Sequence, residues 1–221
     1  MSYSGKVTPG DPADVRELDA LTIRKLAVSP QSNNVYLLTC RATGEQLLID
    51  AADDAPRILT YVAKGGDGLA HLLTTHQHWD HTRALEEVAA ATGARTYAGE
   101  DDADALPLAP DVRLHQGDSV TVGEVSLDVI HLRGHTPGSI ALHYRDPASG
   151  GHLFSGDSLF PGGVGATAHF EYQSFDALIT DVTERVFDVL PDDTWVYPGH
   201  GDDTTLAAER PSLPEWRDRG W

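Results

Sequence analysis

Three histidines and one aspartate fall within six positions of the sequence, at His76, His78, Asp80 and His81. They follow the apolar segment Leu69–Thr75, which has the length and composition of a buried strand. Neutral imidazoles and carboxylates are preferred ligands of borderline divalent cations. A tight turn after a strand can aim the first two of these side chains at one point and the last two at a second point nearby. The run therefore predicts two metal positions that share one loop.

Further candidate ligands lie in other turns, each directly after a predicted strand. Gly134–Ser139 contains His135, Ser155–Ser158 contains Asp157, and Pro198–Gly201 contains His200. Glycine and proline fix the backbone of such turns, as a metal ligand requires. The two oxygens of Asp157 can bridge two cations. The ordered set of turns therefore predicts a metal site at the C-terminal ends of the strands.

The elements that must position these turns alternate along the chain. The spacing of apolar residues and the residue types at the segment ends predict helices at Asp54–Lys64, Asp80–Thr92 and Ser174–Val189. Strands are predicted at Leu21–Val28, Asn34–Arg41, Gln46–Asp50, Leu69–Thr75, Arg95–Ala98, Asp118–Val122, Glu124–Leu132, Ser139–Tyr144, His152–Ser155 and Thr194–Tyr197. Two β-rich halves, each closed by helices, fit a sandwich of two mixed sheets with helices on both outer faces.

We expect one domain over residues 1–221, because a chain of 221 residues suits a single hydrophobic core. Residues 1–20 are a polar N-terminal segment, and residues 202–221 are a tail too short to form a domain. The tail tryptophans, Trp216 and Trp221, are expected to dock on the domain or at a dimer contact. Trp79 is expected to pack beneath the loop from His76 to His81, here called the metal loop.

Composition excludes several classes of function. The chain has 34 acidic residues against 16 Lys and Arg, so its net charge of −18 repels nucleic acid and anionic membranes. No apolar stretch approaches the ~18 residues of a membrane span, and none resembles a signal peptide. The single cysteine, Cys40, is expected to be a buried, inert thiol. We therefore expect a cytoplasmic monomer or homodimer that acts on a small molecule.

The ordered set of turns resembles that of the metallo-β-lactamase superfamily, and in particular its glyoxalase II-like (hydroxyacylglutathione hydrolase-like) short hydrolases. The resemblance covers about Leu21–Gly201 and implies a four-layer αββα sandwich. It implies a first metal site of His76, His78 and His135, a second of Asp80, His81 and His200, and Asp157 as the bridge. It also implies that Asp50 orients the metal histidines from behind. Two divalent ions are expected, zinc first, with iron or manganese as alternatives.

Such a site predicts a metal-dependent hydrolase. A water that bridges two divalent ions loses its proton near neutral pH, and the resulting hydroxide can attack a carbonyl that one ion polarises. Asp80 is the candidate for orienting that hydroxide and for protonating the leaving group, and Asp157 is the candidate for bridging. The expected substrate is a small thioester or ester.

The substrate side of the site departs from glyoxalase II. Residues 159–167 resemble the loop after the bridging aspartate, where the family has a basic residue that holds the carboxylate of the thiol carrier, but this chain has Ala166. Glutathione is therefore not the expected carrier. Arg83 is a candidate for a local positive charge, and His169, Phe170 and Tyr172 are candidates for lining the mouth of the pocket.

Other functions stay open at this stage. His76, His135 and Asp157 could form the two-histidine, one-carboxylate site of a mononuclear Fe(II) persulfide dioxygenase. Asp157 disfavours a β-lactamase, because those enzymes usually have Cys or Ser at this position. A lactonase and a non-catalytic metal-binding protein are the remaining alternatives.

Overall fold

A computed structural model describes residues 3–220 of the chain. The first of its two large sheets has seven strands in chain order. These are β1 (Asp14–Glu17), β2 (Leu21–Val28), β3 (Asn33–Cys40), β4 (Gln46–Ile49), β5 (Leu69–Thr74), β6 (Arg95–Gly99) and β7 (Val112–Leu114). β1 to β4 pair antiparallel, whereas β4 to β7 pair parallel, so β4, β5 and β6 all end at the same edge of the sheet.

The second large sheet has six strands in the order β15-β14-β11-β10-β9-β8, and a two-stranded ribbon of β12 and β13 stands beside it. The strands are β8 (Ser119–Val122), β9 (Val125–His131), β10 (Ile140–Asp146), β11 (Gly150–Gly156), β12 (Leu159–Phe160), β13 (Gly163–Val164), β14 (Trp195–Pro198) and β15 (Thr204–Thr205). β9 and β11 both pair antiparallel with β10, and β14 pairs parallel with β11. β9, β11 and β14 therefore run in the same direction and end at one edge.

Helices cover the outer faces of both sheets. They are α1 (Ala55–Gly65), α2 (Leu85–Thr92), α3 (Phe175–Val182), α4 (Leu206–Glu209) and α5 (Leu213–Arg219), and one π-helical turn (Thr183–Phe187) continues α3. α1 buries Ala55, Ile58 and Val62, which share one face because they are spaced three and four residues apart. Asp54 begins this helix by accepting a hydrogen bond from the Arg57 backbone N–H.

Three apolar clusters separate the four layers. The central cluster fills the space between the sheets, where Tyr36 of β3 meets Phe154 of β11 and Tyr197 of β14 with ring centroids 5.4 and 5.6 Å away. The second cluster joins α1 and α2 to the first sheet, and the third joins α3 and α5 to the second sheet. This arrangement confirms the predicted αββα sandwich.

The predicted strands are confirmed, with ends that differ by a few residues, but one predicted helix boundary is wrong. Asp80–Thr92 is not one helix: Trp79–His81 is a single 3-10 turn, and α2 begins only at Leu85. The Ala84 N–H bonds the Ala51 carbonyl at the end of β4, so this tertiary contact replaces the hydrogen bond that a continuous helix would make. The break leaves the metal loop free to follow the edge of the sheet.

The described parts of both terminal segments contain strands or helices that the sequence patterns did not predict. The N-terminal segment contributes β1, and the tail contributes β15, α4 and α5. Trp216 is buried in the third cluster, which confirms that it docks on the domain, whereas Trp221 lies outside the described residues. Within residues 3–220, no helix is long and apolar enough to cross a bilayer.

Candidate metal centre

The predicted ligands meet where strands end. His76 to His81 follow β5, His135 follows β9, and Asp157 and His200 follow β11 and β14. Ligand atoms within 4.8 Å of one another define three groups among the described residues: His76, His78 and His135; Asp80, His81 and His200; and Asp50, His76 and His81. The fold therefore places close together the residues of each set that the family resemblance implied, and it places Asp50 beside His76 and His81.

Hydrogen bonds fix how the first group presents its nitrogens. Thr75 Oγ1 donates its only hydrogen to Asp50 Oδ2 (2.7 Å). Its contact with His76 Nδ1 (3.0 Å) must therefore be a hydrogen bond that His76 Nδ1–H donates and Thr75 Oγ1 accepts. His135 Nδ1 donates to the Ala166 carbonyl (2.8 Å). The rings of His76 and His135 therefore carry their proton on Nδ1 and keep a lone pair on Nε2, as a metal ligand needs.

The second group follows the same rule. His81 Nδ1 donates to Asp50 Oδ2 (3.0 Å), and His200 Nδ1 donates to the Gln31 carbonyl (3.0 Å). Asp50 is buried and has a left-handed backbone (φ 58°), which aims its carboxylate at both groups. Asp50 thus lies behind the histidines, at the position that the family resemblance implied for it.

Asp157 lies between the two groups. Its Oδ1 is 3.4 Å from His81 Nε2, and its Oδ2 is 3.3 Å from His200 Nε2 and 3.6 Å from His135 Nε2. Gly199 permits this approach, because a Cβ at that position would lie 2.0 Å from Asp157 Oδ1. One carboxylate thus reaches both candidate sites.

The donor set fits divalent cations. Among residues 3–220, the buried atoms His76 Nε2 and His135 Nε2 have no hydrogen-bond partner. His81 Nε2 and His200 Nε2 lie 3.1 Å apart, and with both protons on Nδ1 two lone pairs face each other. A positive charge between the two nitrogens removes that repulsion. A divalent ion would supply this charge, and the nitrogen and oxygen atoms around it are the ligands that such ions prefer.

The electrostatics of the cluster favour neutral His76 and His78, ionised carboxylates, and a positive charge on or between His81 and His200, because the pKa of both of these histidines is raised. Burial and neighbouring histidines hold the pKa of His76 well below its usual range and lower that of His78 to about 4. Although burial opposes ionisation, His81 and His200 hold the pKa of Asp157 well below its usual range. Burial also disfavours a charged His200, but its hydrogen bonds to Asp157 and Asp80 outweigh this effect and raise its pKa to about 10. The two carboxylates thus stay ionised and attract a cation.

The candidate substrate residues are placed unevenly. Tyr172 is next to the metal cluster, because its hydroxyl is 3.0 Å from His78 Nε2, and Phe170 stacks on its ring with centroids 5.2 Å apart. His169 is exposed on the same segment, and its backbone N–H bonds the Gln173 side chain. Phe170, whose ring centroid is also 5.3 Å from that of His78, therefore lies with Tyr172 at the rim of the site.

Arg83 and Trp79 form a separate pair. The Arg83 guanidinium lies 4.1 Å from the centroid of the Trp79 ring and forms an ion pair with Asp53 (2.9 Å). Trp79 is 65% exposed, so the prediction that it packs beneath the metal loop is wrong. The loop already rests on Asp50 and Thr75, and the 3-10 turn points Trp79 outward.

Asp102 is a functional residue that sequence reasoning missed. This fully buried carboxylate accepts hydrogen bonds from the Gln77 N–H (2.9 Å), the Gly138 N–H (2.7 Å) and the Thr136 hydroxyl. It therefore ties the loop of His76 and His78 to the loop of His135. The available signal was its position after β6, at the edge where β4 and β5 also end.

We expect Asp102→Asn to weaken metal binding about 10- to 100-fold, the usual cost of losing a residue that orients metal ligands. The new amide places hydrogens where the carboxylate accepts them, so the two loops lose their common anchor. Competition with a chromophoric chelator measures the affinity. Asp101→Asn, at a side chain that is 59% exposed, is the matched control and should bind metal like the wild type. Equal affinities for all three proteins would contradict this role.

Comparison with known proteins agrees with the geometry. The chain is 36% identical over 184 residues to the hydroxyacylglutathione hydrolase of Rhodospirillum rubrum, covering 83% of this chain and 67% of that protein. It is 39% identical over 168 residues to the protein of the same name from Polaromonas sp., covering 75% of this chain and 60% of that one. The chain thus spans about two-thirds of the length of these relatives or less.

A solved structure and a family match extend the comparison. The structure of ETHE1 from Myxococcus xanthus superposes with a TM-score of 0.78 at 31% identity, covering 89% of this chain and 84% of the other. Residues 28–200 match the family described as the metallo-beta-lactamase superfamily, and this range begins at the end of β2 and ends at His200. The fold, the ordered metal turns and these matches together show that the chain belongs to the metallo-beta-lactamase superfamily.

Proposed function

We propose that this protein is a metal-dependent, glyoxalase II-like hydrolase that cleaves a small thioester or ester. The observation that carries the proposal is the pair of His/Asp groups joined by Asp157 at a cleft of about 410 Å³. The similarity to proteins named hydroxyacylglutathione hydrolase supports it.

We propose zinc as the resident metal, with iron or manganese as alternatives. His76, His78 and His135 would hold one ion, Asp80, His81 and His200 would hold the other, and Asp157 would contact both. Bound ions of this kind acidify water and polarise a substrate carbonyl. No serine or cysteine nucleophile is then required.

Asp80 is the residue that we propose to handle protons. Its Oδ2 accepts a hydrogen bond from Asn33 Nδ2 (3.0 Å), and Ser29 Oγ donates to Asn33 Oδ1 (2.6 Å), which fixes the orientation of the amide. Although burial opposes ionisation, His200, His81 and Asn33 hold the pKa of Asp80 below its usual range. An ionised, fixed carboxylate can orient an attacking water, accept the proton that this water loses, and then pass that proton to the leaving group.

The thiol or alcohol carrier is proposed to be small and other than glutathione, because Ala166 offers no positive charge on the loop after Asp157. The net charge of −18 disfavours nucleic acid and anionic membranes as partners. Cys40 is a buried free thiol, which is consistent with the cytoplasmic location that we propose. We propose a monomer or homodimer as the form that acts.

Metal content and turnover together test the proposal. Protein purified from medium supplied with zinc and iron should contain about two ions per chain, and His200→Ala should lose about one of them. The loaded wild type should hydrolyse at least one member of a panel of acyl thioesters, a lactone and a β-lactam. One iron per chain that survives His200→Ala, with oxygen consumption on a persulfide, would instead indicate a mononuclear dioxygenase.

A further inference from the structure

The side chain of Gln173 lies between the candidate metal ligand His135 and the rim of the site. Its Nε2 donates to the carbonyls of His135 (2.9 Å) and Ala166 (3.1 Å). Its Oε1 accepts hydrogen bonds from the backbone N–H groups of His169 (2.8 Å) and Phe170 (3.1 Å). Both donors and both lone pairs of the amide are therefore used. The reverse orientation would set N–H groups against N–H groups, so the contacts fix which end of the amide faces the metal cluster.

The start of helix α3 places this amide. Gln173 directly precedes Ser174, which begins the helix by accepting a hydrogen bond from the Ala177 N–H (3.2 Å). The Ser174 N–H bonds the Gly134 carbonyl (2.9 Å), and a Cβ on Gly134 would collide with the Ser174 carbonyl oxygen. The turn that carries His135 therefore packs directly on the first residues of a helix that the third apolar cluster holds in place.

The Gln173 amide and the His135 ring share an acceptor. The Ala166 carbonyl accepts hydrogen bonds from both Gln173 Nε2 and His135 Nδ1 (2.8 Å), and the second of these leaves the Nε2 lone pair of His135 for a metal. Gly165 permits this approach, because a Cβ there would lie 3.0 Å from His135 Nδ1. Gln173 thus holds the carbonyl that sets the tautomer and the direction of this ligand.

Residues 169–172, here called the rim segment, reach a second ligand of the same metal group. Tyr172 Oη is 3.0 Å from His78 Nε2, and the ring centroids of Phe170 and His78 are 5.3 Å apart. The rings of Phe170 and Tyr172 stack with an angle of 7° between their planes. The rim segment is therefore fixed at its start by Gln173 and contacts His78 at its end.

We propose that Gln173 is a positioning residue, whose amide joins the rim segment and the first metal group into one unit. Its donor end directs His135 at the metal, and its acceptor end holds the aromatic rim beside the same metal. The inference rests on the proposed hydrolase function only for its kinetic consequence. Its consequences for metal binding and for the rim segment need no turnover.

Gln173→Met keeps the length of the side chain and removes all four hydrogen bonds. We expect it to bind zinc about tenfold more weakly than the wild type in competition with a chromophoric chelator, a usual cost of losing a residue that orients a metal ligand. Amide hydrogen exchange of the rim segment, followed by mass spectrometry on the metal-loaded protein, should be about three- to tenfold faster. With zinc in excess, KM for a hydrolysed thioester should rise at least about threefold while kcat changes less than about twofold, because the rim contributes binding to ground state and transition state alike.

Gln173→Glu separates the two ends of the amide. A carboxylate still accepts the N–H groups of the rim segment, but it has no hydrogen to donate to the carbonyls of His135 and Ala166. Exchange of the rim segment should therefore stay within about twofold of the wild type. The absorption spectrum of the cobalt(II) form, which depends on the geometry of the ligands, should shift in Gln173→Glu as it does in Gln173→Met.

Gln116→Met is the matched control. Gln116 is exposed, and its Oε1 also accepts a backbone N–H, that of His131 (2.8 Å). Its replacement should leave zinc affinity and the exchange of the rim segment within about twofold of the wild type, and the cobalt spectrum unchanged.

The outcomes separate the two proposals. Wild-type zinc affinity and wild-type exchange in a folded Gln173→Met protein would overturn the role of Gln173. Faster exchange with unchanged zinc affinity and cobalt spectrum would show that Gln173 holds the rim alone, so the proposed coupling would be wrong. If Gln173→Met does not fold, an unchanged cobalt spectrum in Gln173→Glu overturns the coupling. If the wild type hydrolyses no thioester or ester, the hydrolase function fails, and zinc affinity and exchange still decide the role of Gln173.

Discussion

Asp157→Asn is expected to hold fewer metal ions per chain than the wild type and to lose at least about a thousandfold in kcat/KM on the best thioester. The reason is geometric, because the Asp157 carboxylate lies within 3.6 Å of nitrogens from both groups of histidines. Asparagine keeps the size of the side chain but removes the negative charge and one acceptor oxygen. Elemental analysis and steady-state kinetics on the same preparation measure both effects.

Asp202→Asn provides the control for this experiment. Asp202 follows His200 by two positions, pairs with Lys6 on the surface, and has a side chain that is 52% exposed. Its replacement removes the same charge near the site, so metal content and turnover should stay within about twofold of the wild type. A folded Asp157→Asn protein with full metal content and wild-type turnover would refute the bridging role.

Lys25→Met is expected to lower the free energy of unfolding by about 3–5 kcal/mol, the typical cost of breaking a buried ion pair from one side. Lys25 is fully buried, and its Nζ donates to Asp203 (2.6 Å) and to the Gly5 (2.8 Å) and Gly201 (2.7 Å) carbonyls. Methionine fills similar space but leaves the Asp203 carboxylate buried without its cation. Urea denaturation monitored by circular dichroism gives the difference.

Two further variants show whether the buried pair is the cause. Lys6→Met removes an exposed pair with Asp202 and should cost less than about 1 kcal/mol. Lys25→Met combined with Asp203→Leu removes both buried charges and should regain a large part of the loss. A Lys25→Met protein as stable as Lys6→Met would show that the pair contributes nothing to the fold.

The same network has a consequence for the metal centre. Gly201 directly follows His200, and Asn34 Nδ2 also bonds the Gly201 carbonyl (3.0 Å) and that of Pro198 (2.9 Å). Lys25 and Asn34, both in the N-terminal part of the chain, therefore hold the C-terminal turn that presents His200. A loosened turn in Lys25→Met should release the His200-side ion first when the protein is titrated with chelator.

The sequence by itself predicted the sandwich and the turns that present the candidate metal residues, and the family resemblance implied how those residues group. A short motif such as His76 to His81 shows the types of the candidate ligands and their spacing within one turn. The periodic placement of apolar residues indicates which faces of the strands and helices are buried. Order along the chain then assigns each turn to the end of a strand. These features are local, so they could be read without knowing the path of the chain.

Only the tertiary structure decided which distant residues support the site. Asp102 meets Gly138 across 36 positions, Lys25 meets Asp203 across 178, and Gln173 meets His135 across 38. Isolated polar and charged residues have no periodic signature, and in a chain with 34 carboxylates an aspartate that will be buried resembles one that will be exposed. Their roles arise because folding removes water around them, and a buried charge or hydrogen-bonding group must then find its partner wherever the chain places it.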